Sequence, residues 1–333
     1  MPPADAEPRG PALDADAMLA AARRPLVIGI GGGGDVVGAL ATAEAARLRY
    51  GSRPVVGGVT WERRPIDPQP GPRAVAEIEG GRPLSPCVLA AGADTRVRAS
   101  GVLFGESGMA AYLGEETVLV DPTGGAAAVA KGLTTAAAAL DADLVVLIDV
   151  GGDALAHGHE PGLGSPLCDA ILMAAGARMQ AAGVPVLGGV FGIGCDGELT
   201  PAEVDARLGE IAAAGGLAGA HGLTEVVAQR LEGAIEHVPT EASAMALRAY
   251  RGRIGPTPIR GGRRTVQVTT AAAGTVYFDV VRACASAARL PALVDGAASL
   301  HDANEALHAE GIRTELDFEI EHPPDESEPT QRS

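Results

Sequence analysis

The chain has 333 residues, 47% of them hydrophobic but only 3% aromatic, and a formal net charge of -16 from 42 acidic against 26 basic residues. That length allows one large domain or two modest ones, and the scarcity of aromatic residues predicts a core of Ala, Val and Leu with helices packed closely on sheet. The acidic balance argues against nucleic acid and anionic membrane surfaces as partners, because phosphate contacts require clustered Lys and Arg.

Residues 1–24 combine Pro with acidic side chains and read as a flexible tail, as do residues 321–333. The opening "MPPADAEPRG" lacks a basic segment followed by an apolar run, and no stretch reaches eighteen apolar residues without charge, so neither secretion nor membrane spanning is expected. Between the tails, 25–320 reads as a single α/β domain with a small C-terminal lobe allowed from about 240.

Pro25 to Gly29 is a short β-branched run, and Asp35 to Tyr50 has helical composition with Val36, Val37, Leu40, Ala43 and Ala46 near one stripe. "PVVGGVTW" (54–61) is the next predicted strand. Strand, glycine turn, helix and strand open a parallel α/β unit. The same grammar repeats in "TVLVDP" (117–122), an Ala-rich helix over 124–139, and "ADLVVLIDVGGD" (142–153). A helix over 166–182 then leads to "VPVLGGVFGIGCDG" (184–197). Thr200 as cap, Pro201 at the first position and Glu203 as box partner mark the start of the following helix.

Further on, "TEVVAQRLEGAIEHV" reads as a helix, and "RRTVQVTT" and "GTVYFDVV" as strands that form either an antiparallel edge or a small lobe. "SLHDANEALHAEGI" predicts a helix and "TELDFEI" a short strand. The expected architecture is a Rossmann-like open, mainly parallel sheet with helices on both faces and an antiparallel C-terminal extension. Three of its strands end in Gly and Asp clusters, and in open parallel sheets such ends meet at the ligand crevice.

Gly29, Gly31 and Gly34 satisfy GxGxxG between strand and helix. Gly31, Gly32, Gly33 and Gly34 would let the backbone approach a ligand closely while free amides attract an anion. Asp35 would repel a pyrophosphate there unless a cation intervened, and Glu62 lies farther along than the acidic residue of a dinucleotide site, usually about twenty residues on. The alternative is a tight turn in which Asp35 caps the helix. NAD(P) remains the competing cofactor. No Walker sequence is present.

The densest chemistry is "LIDVGGDALAHGHEPGLGSPLCDA". Asp149 ends an apolar strand and Asp153 follows Gly151 and Gly152, with His157, His159, Glu160, Ser165 and Asp169 nearby in sequence. Carboxylates at buried strand ends need amides, a ligand hydroxyl or a divalent cation. Carboxylates with few histidines suit Mg²⁺ better than zinc, so Asp149 and Asp153 are candidate metal ligands and catalytic residues, with Gly151 and Gly152 as candidate ligand contacts. His157 is a candidate for acid–base chemistry and Glu160 for ligand contact. Asp196 is a candidate catalytic residue on a later strand end, with an Asx turn as its alternative; Glu198 either joins it or faces water.

"TWERRPIDPQPGPR" (60–73) is a proline-stiffened loop in which Glu62, Arg63 and Arg64 could clamp phosphate or carboxylate. "PTEAS" adds Glu241. Cys87, Cys168, Cys195 and Cys284 form no CxxC pair, which suits small buried fillers in a reducing cytoplasm. The Ala-rich helical exterior permits a homo-oligomer, without a coiled-coil seam to establish one.

Together, "GIGGGGDVVGA", "GGVTWERRPIDPQPGPR", "DVGGDALA", "GIGCDGELT" and "PTEAS" resemble the archaeal and bacterial family designated domain of unknown function 1152 (DUF1152), over about Pro25 to Phe318. The resemblance implies the α/β fold and brings no reaction with it. From the residues, the expected activity is Mg²⁺-assisted hydrolysis or group transfer on a nucleotide, sugar phosphate or related hydroxylated metabolite. The phosphorylated or ribosyl group would lie against the 31–34 turn. An NAD(P)-dependent oxidoreductase and a non-enzymatic nucleotide sensor or assembly protein are the alternatives.

Overall fold

The computed structural model describes residues 12–322. The expected tails at 1–11 and 323–333 lie outside the described residues. Part of the expected N-terminal tail is instead helical: α1 (Ala15–Ala21) is capped by Asp14 and buries Ala15 and Leu19. Its apolar spacing and Asp cap override the Pro-rich composition around it.

From there the chain runs through β1 (Pro25–Gly29), α2 (Asp35–Tyr50), β2 (Val55–Val59), β3 (Ile78–Ser85), β4 (Val88–Val97), α3 (Gly105–Leu113), β5 (Thr117–Val120), α4 (Gly125–Ala139) and β6 (Leu144–Val150). It continues with α5 (Pro166–Ala181), β7 (Val186–Phe191), α6 (Pro201–Ala213), β8 (Leu217–Gly222), α7 (Glu225–Ile235), α8 (Glu241–Tyr250), β9 (Gly255–Ile259), β10 (Arg264–Val268) and β11 (Gly274–Phe278). Four helices close it: α9 (Val280–Ser286), α10 (Leu290–Val294), α11 (Leu300–Ala309) and α12 (Glu315–Glu321).

Nine strands form one sheet in the order β3-β4-β5-β2-β1-β6-β7-β11-β8. The middle five are mutually parallel. In chain order among themselves they read 3-2-1-4-5, so the connection reverses direction between β1 and β6, where a doubly wound sheet opens its crevice. Both faces are covered. Along β1, Leu26 and Ile28 enter one core cluster and Val27 the other, and β6 alternates in the same way. Period-two alternation with both sides apolar is why these strands read as continuous hydrophobic runs.

The two late strands divide between the two expectations for them. β11 joins the main sheet antiparallel to β7 and β8, whereas β10 pairs with β9 in a separate antiparallel hairpin. The β3–β4 edge hairpin and β8 were not foreseen.

"TELDFEI" is a correction: it is helix α12, opened by a capping box of Thr314 and Asp317. The alternation of Leu316, Phe318 and Ile320 suggested a strand. In the helix, however, Phe318 and Ile320 are exposed by more than half, while Glu315 and Glu319, four residues apart on one helical face, are buried.

Candidate functional site

The ends of β1, β6 and β7, three neighbours in the sheet, each release a glycine turn and a carboxylate. After β1, Gly32 and Gly33 take positive φ (87° and 57°), which glycine adopts without the steric cost other residues meet. Asp35 is the first residue of α2. Its carboxylate does not cap the helix, as one reading of the sequence supposed, but turns back to accept the Gly31 amide at 2.9 Å. A Cβ at Gly31 would lie 2.6 Å from that carboxylate and 3.4 Å from Asp169 Oδ1, so glycine is what lets the turn pass between the two acids.

After β6, Gly151 and Gly152 (φ 126° and 118°) reverse the chain beside Asp149 and lead to Asp153. A side chain at Gly151 would collide with Asp196, and one at Gly152 with Val204. The turn after β7 therefore packs directly on the turn after β6. Asp196 Oδ2 accepts the Glu198 amide at 3.2 Å, an Asx-type contact, while its Oδ1 is buried without a partner. The next loop enters α5 through Ser165 and Pro166, which sets Asp169 in the first turn, aimed back at the strand ends.

The result is two adjoining acidic groups. Oxygens of Asp35, Asp149 and Asp169 lie within 4.8 Å of one another, as do those of Asp153, Asp196 and Glu198. Asp149 and Asp153 share a hydrogen bond that joins the groups, and Asp149 Oδ2 also accepts the Ala154 amide at 3.3 Å. Asp169 Oδ1 is buried with no partner.

Burial pushes the Asp35 carboxyl up to about 8, with the nearby Asp149 adding to it and the Gly31 amide opposing. Burial likewise lifts Asp149 to about 7. Asp153, Asp169 and Asp196 are held well above the carboxylate range, first by burial and then by neighbouring carboxylates. Glu198 differs: burial would raise it, but Arg264 and Arg260, together with Ser165 and the Gly164 amide, hold it below the usual range. Far from facing water, Glu198 is 2% exposed.

One arginine stands beside the glycine turn. Arg63 lies over the Trp61 ring at 4.2 Å, donates to the Gly31 carbonyl and pairs with Glu315 at 3.3 Å. Its Nη1 is buried and unpartnered. Glu315 also accepts the Leu167 and Cys168 amides, both at 3.0 Å, and so caps α5 from a distant part of the chain. Glu319 accepts from Trp61 Nε1 and from the Gly71 amide. Helix α12 thus fixes both the arginine loop and the helix that carries Asp169.

Other predicted residues have different partners. Glu62 is buried and accepts the Gly105 amide at 2.6 Å, and burial raises it to about 7. Arg64 donates to the His322 carbonyl. His157 Nε2 meets Glu210 at 3.0 Å, and Glu160 accepts three consecutive amides, those of His157, Gly158 and His159, as well as Arg207. Although His157, His159 and Glu160 are close enough to hold an ion, Glu160 is already committed to folding its own loop. Glu241 accepts the Arg260 amide beside the hairpin. "PTEAS" does reach the glycine turn, but through Thr240, which abuts Gly34.

Asp169, Glu315 and Glu106 are the residues the sequence reading did not select for the site. For Asp169 a signal existed, because Ser165-Pro166 marks a helix start and puts Asp169 in its first turn. Glu106 lies in the first turn of α3, is 1% exposed, has both oxygens unpartnered, and is raised by burial and then by Glu62.

The four cysteines are free. Among the described residues, no helix is long and apolar enough to cross a membrane. The family described as "Protein of unknown function (DUF1152)" matches residues 26–322, and the chain belongs to it. No curated protein and no solved structure matches the chain.

Proposed function

We propose that this member of the DUF1152 family is a cytoplasmic enzyme that uses a divalent cation, Mg²⁺ by its ligand chemistry, to hydrolyse or transfer a group on a small phosphorylated or ribosyl metabolite. The observation that carries the reading is the convergence of Asp35, Asp149 and Asp169, with Asp169 Oδ1 buried and lacking any protein partner. Buried carboxylates this close either keep protons or share a cation, because the uncompensated charges are too costly. An all-oxygen donor set favours a hard cation. Bound there, the ion would supply Lewis-acid polarisation of a phosphoryl oxygen and a lowered pKa for water.

The chain's own groups fit that substrate. Arg63 Nη1 offers a free donor to an anionic oxygen beside the cation position. Stacking on Trp61 and pairing with Glu315 restrict the guanidinium to one orientation, so that little ordering remains for binding. The Gly31 to Gly34 turn has no side chains to keep a ligand from its backbone. The Gly31 amide itself is taken by Asp35, which favours a cation-bridged anion over a dinucleotide pyrophosphate resting on that amide. Asp153 and Asp196 stand behind the first group. Asp153 orients Asp149 through their shared hydrogen bond, and Asp196 Oδ1 remains available to a ligand hydroxyl or water.

The test is an Mn²⁺ titration followed by electron paramagnetic resonance, paired with a thermal-shift panel of nucleotides and sugar phosphates with and without Mg²⁺. Binding lost in Asp169→Asn, together with a metabolite shift that requires Mg²⁺, is the expected result. Turnover of the hit separates the enzyme from a sensor. If the wild-type protein binds no cation below millimolar concentration and no metabolite shift depends on one, the reading fails.

A further inference from the structure

A second cleft opens at the amino ends of β1, β2 and β5, away from the carboxylate turns, and it is rich in arginine. Its volume is about 780 Å³, within the range of about 300–1,000 Å³ typical of small-molecule sites. Arg24, just before β1, Arg53, just before β2, Arg47 on α2, Arg82 on β3 and Arg230 on α7 all line it. Three glutamates, Glu44, Glu115 and Glu116, share the lining, which leaves two positive charges in excess within a chain of net charge -16.

Several of those arginines are already paired. Arg47 and Arg230 flank the buried Glu44, and Arg82 pairs with Glu116 at 2.6 Å. Among the described residues, no ion pair engages Arg24 or Arg53. Three buried groups on the lining lack a hydrogen-bond partner: Arg24 Nε, Arg230 Nε and Ser52 Oγ. Ser52 is the most telling, being only 5% exposed. Guanidinium nitrogens can only donate and a hydroxyl can donate or accept, so acceptor oxygens would meet all three groups, and the excess positive charge favours anionic ones.

We propose that this cleft is a second binding site, for a small phosphate-bearing polyanion, separate from the carboxylate crevice. It does not depend on the function proposed above. The five residues of β1, at roughly 3.3 Å each, put about 17 Å between the two ends. Helix α2 spans that interval, with Asp35 in the crevice and Glu44 and Arg47 in the cleft.

Pyrophosphate is the probe. Isothermal titration of the full chain in EDTA keeps the carboxylate crevice free of divalent cations. One-site binding is expected, weakened about tenfold or more in the double variant Arg24→Gln/Arg53→Ala and unchanged in Asp169→Asn. Ser52→Ala removes only a hydroxyl and keeps the test independent of any folding defect in the double variant; a severalfold weakening is expected. The proposal is overturned if pyrophosphate gives no heat, if both sets of cleft variants bind like wild type, if Asp169→Asn abolishes the binding, or if sodium chloride at matched ionic strength produces the same response.

Discussion

At the carboxyl ends of β1, β6 and β7 the buried atoms without hydrogen-bond partners include carboxylate oxygens of Asp169 and Asp196 and the Nη1 donors of Arg63 and Arg264. At the amino ends of β1 and β2 they are Ser52 Oγ and the Nε groups of Arg24 and Arg230. One end therefore leaves carboxylate oxygens unmet alongside guanidinium donors, and the other leaves guanidinium donors and a hydroxyl unmet. A buried polar group left unpaired costs about 1–3 kcal/mol, so the sign of the unmet demand indicates the sign of what should bind.

The difference also shows how each end is held. In the crevice, backbone turns bring acids from β1, β6, β7 and α5 against one another, and burial first, then neighbouring carboxylates, holds their carboxyls raised. In the cleft, acids and bases are interleaved, and Glu44 is buried between two arginines.

The strongest way to break the contrast is Asp169→Asn. It should weaken Mn²⁺ binding by about 1,000-fold, or about 4 kcal/mol, while leaving the cation-free protein at least as stable, because a buried acid among acids is removed. Retained Mn²⁺ affinity in the paramagnetic resonance titration would mean that the crevice acids are only structural.

Next in size is Glu315→Ala, which strips Arg63 of its partner and uncaps two amides of α5. Chemical denaturation should report a loss of about 3 kcal/mol. Glu315→Gln, which keeps the capping oxygen, should lose less. Equal losses would show that the capping oxygen contributes nothing beyond the charge pair.

Another effect follows from pH. Asp35 and Asp149 have folded-state values raised to about 8 and about 7, from an ordinary 3.8. Their contribution is therefore fully present below about pH 4 and is lost as pH rises through 7 to 8. Cation-free protein should lose stability between pH 5 and pH 8.5 from these groups. Mg²⁺ favours the deprotonated forms, so it should stabilise more at pH 8.5 than at pH 5 and should release protons on binding. A Mg²⁺ shift that is flat across that range in melting experiments would contradict the assignment.

The smallest effect belongs to the other end. Arg82→Ala removes an exposed pair with Glu116 and should change stability by less than about 0.5 kcal/mol, which sharpens the contrast with the buried crevice. A loss above 1 kcal/mol in urea unfolding would show that the cleft is built as rigidly as the crevice.

Much of the frame was legible in advance. β1, α2 and the capped start of α6 lie where apolar periodicity and cap residues put them, and the three Gly and Asp turns do emerge side by side. Asp149, Asp153 and Asp196 could be picked out because a carboxylate at the end of an apolar strand is conspicuous. The β3–β4 hairpin was hidden by mixed charge on an edge, where only part of each strand is buried. Helix α12 was misread because its buried face is acidic and its exposed face carries Phe318 and Ile320, the reverse of the usual amphipathic pattern.

The sequence by itself determined the succession of parallel units and the presence of a carboxylate at three strand ends, because periods of two and 3.6 residues, caps and glycine turns are local properties. Only the tertiary structure decided that Asp169 closes on Asp35 and Asp149, that Glu315 holds Arg63 from 252 positions away, and that arginines from five separate segments share one cleft. Those pairings depend on which strands neighbour one another and on how the faces of α5, α7 and α12 pack, and contacts across such separations leave no local period in the chain.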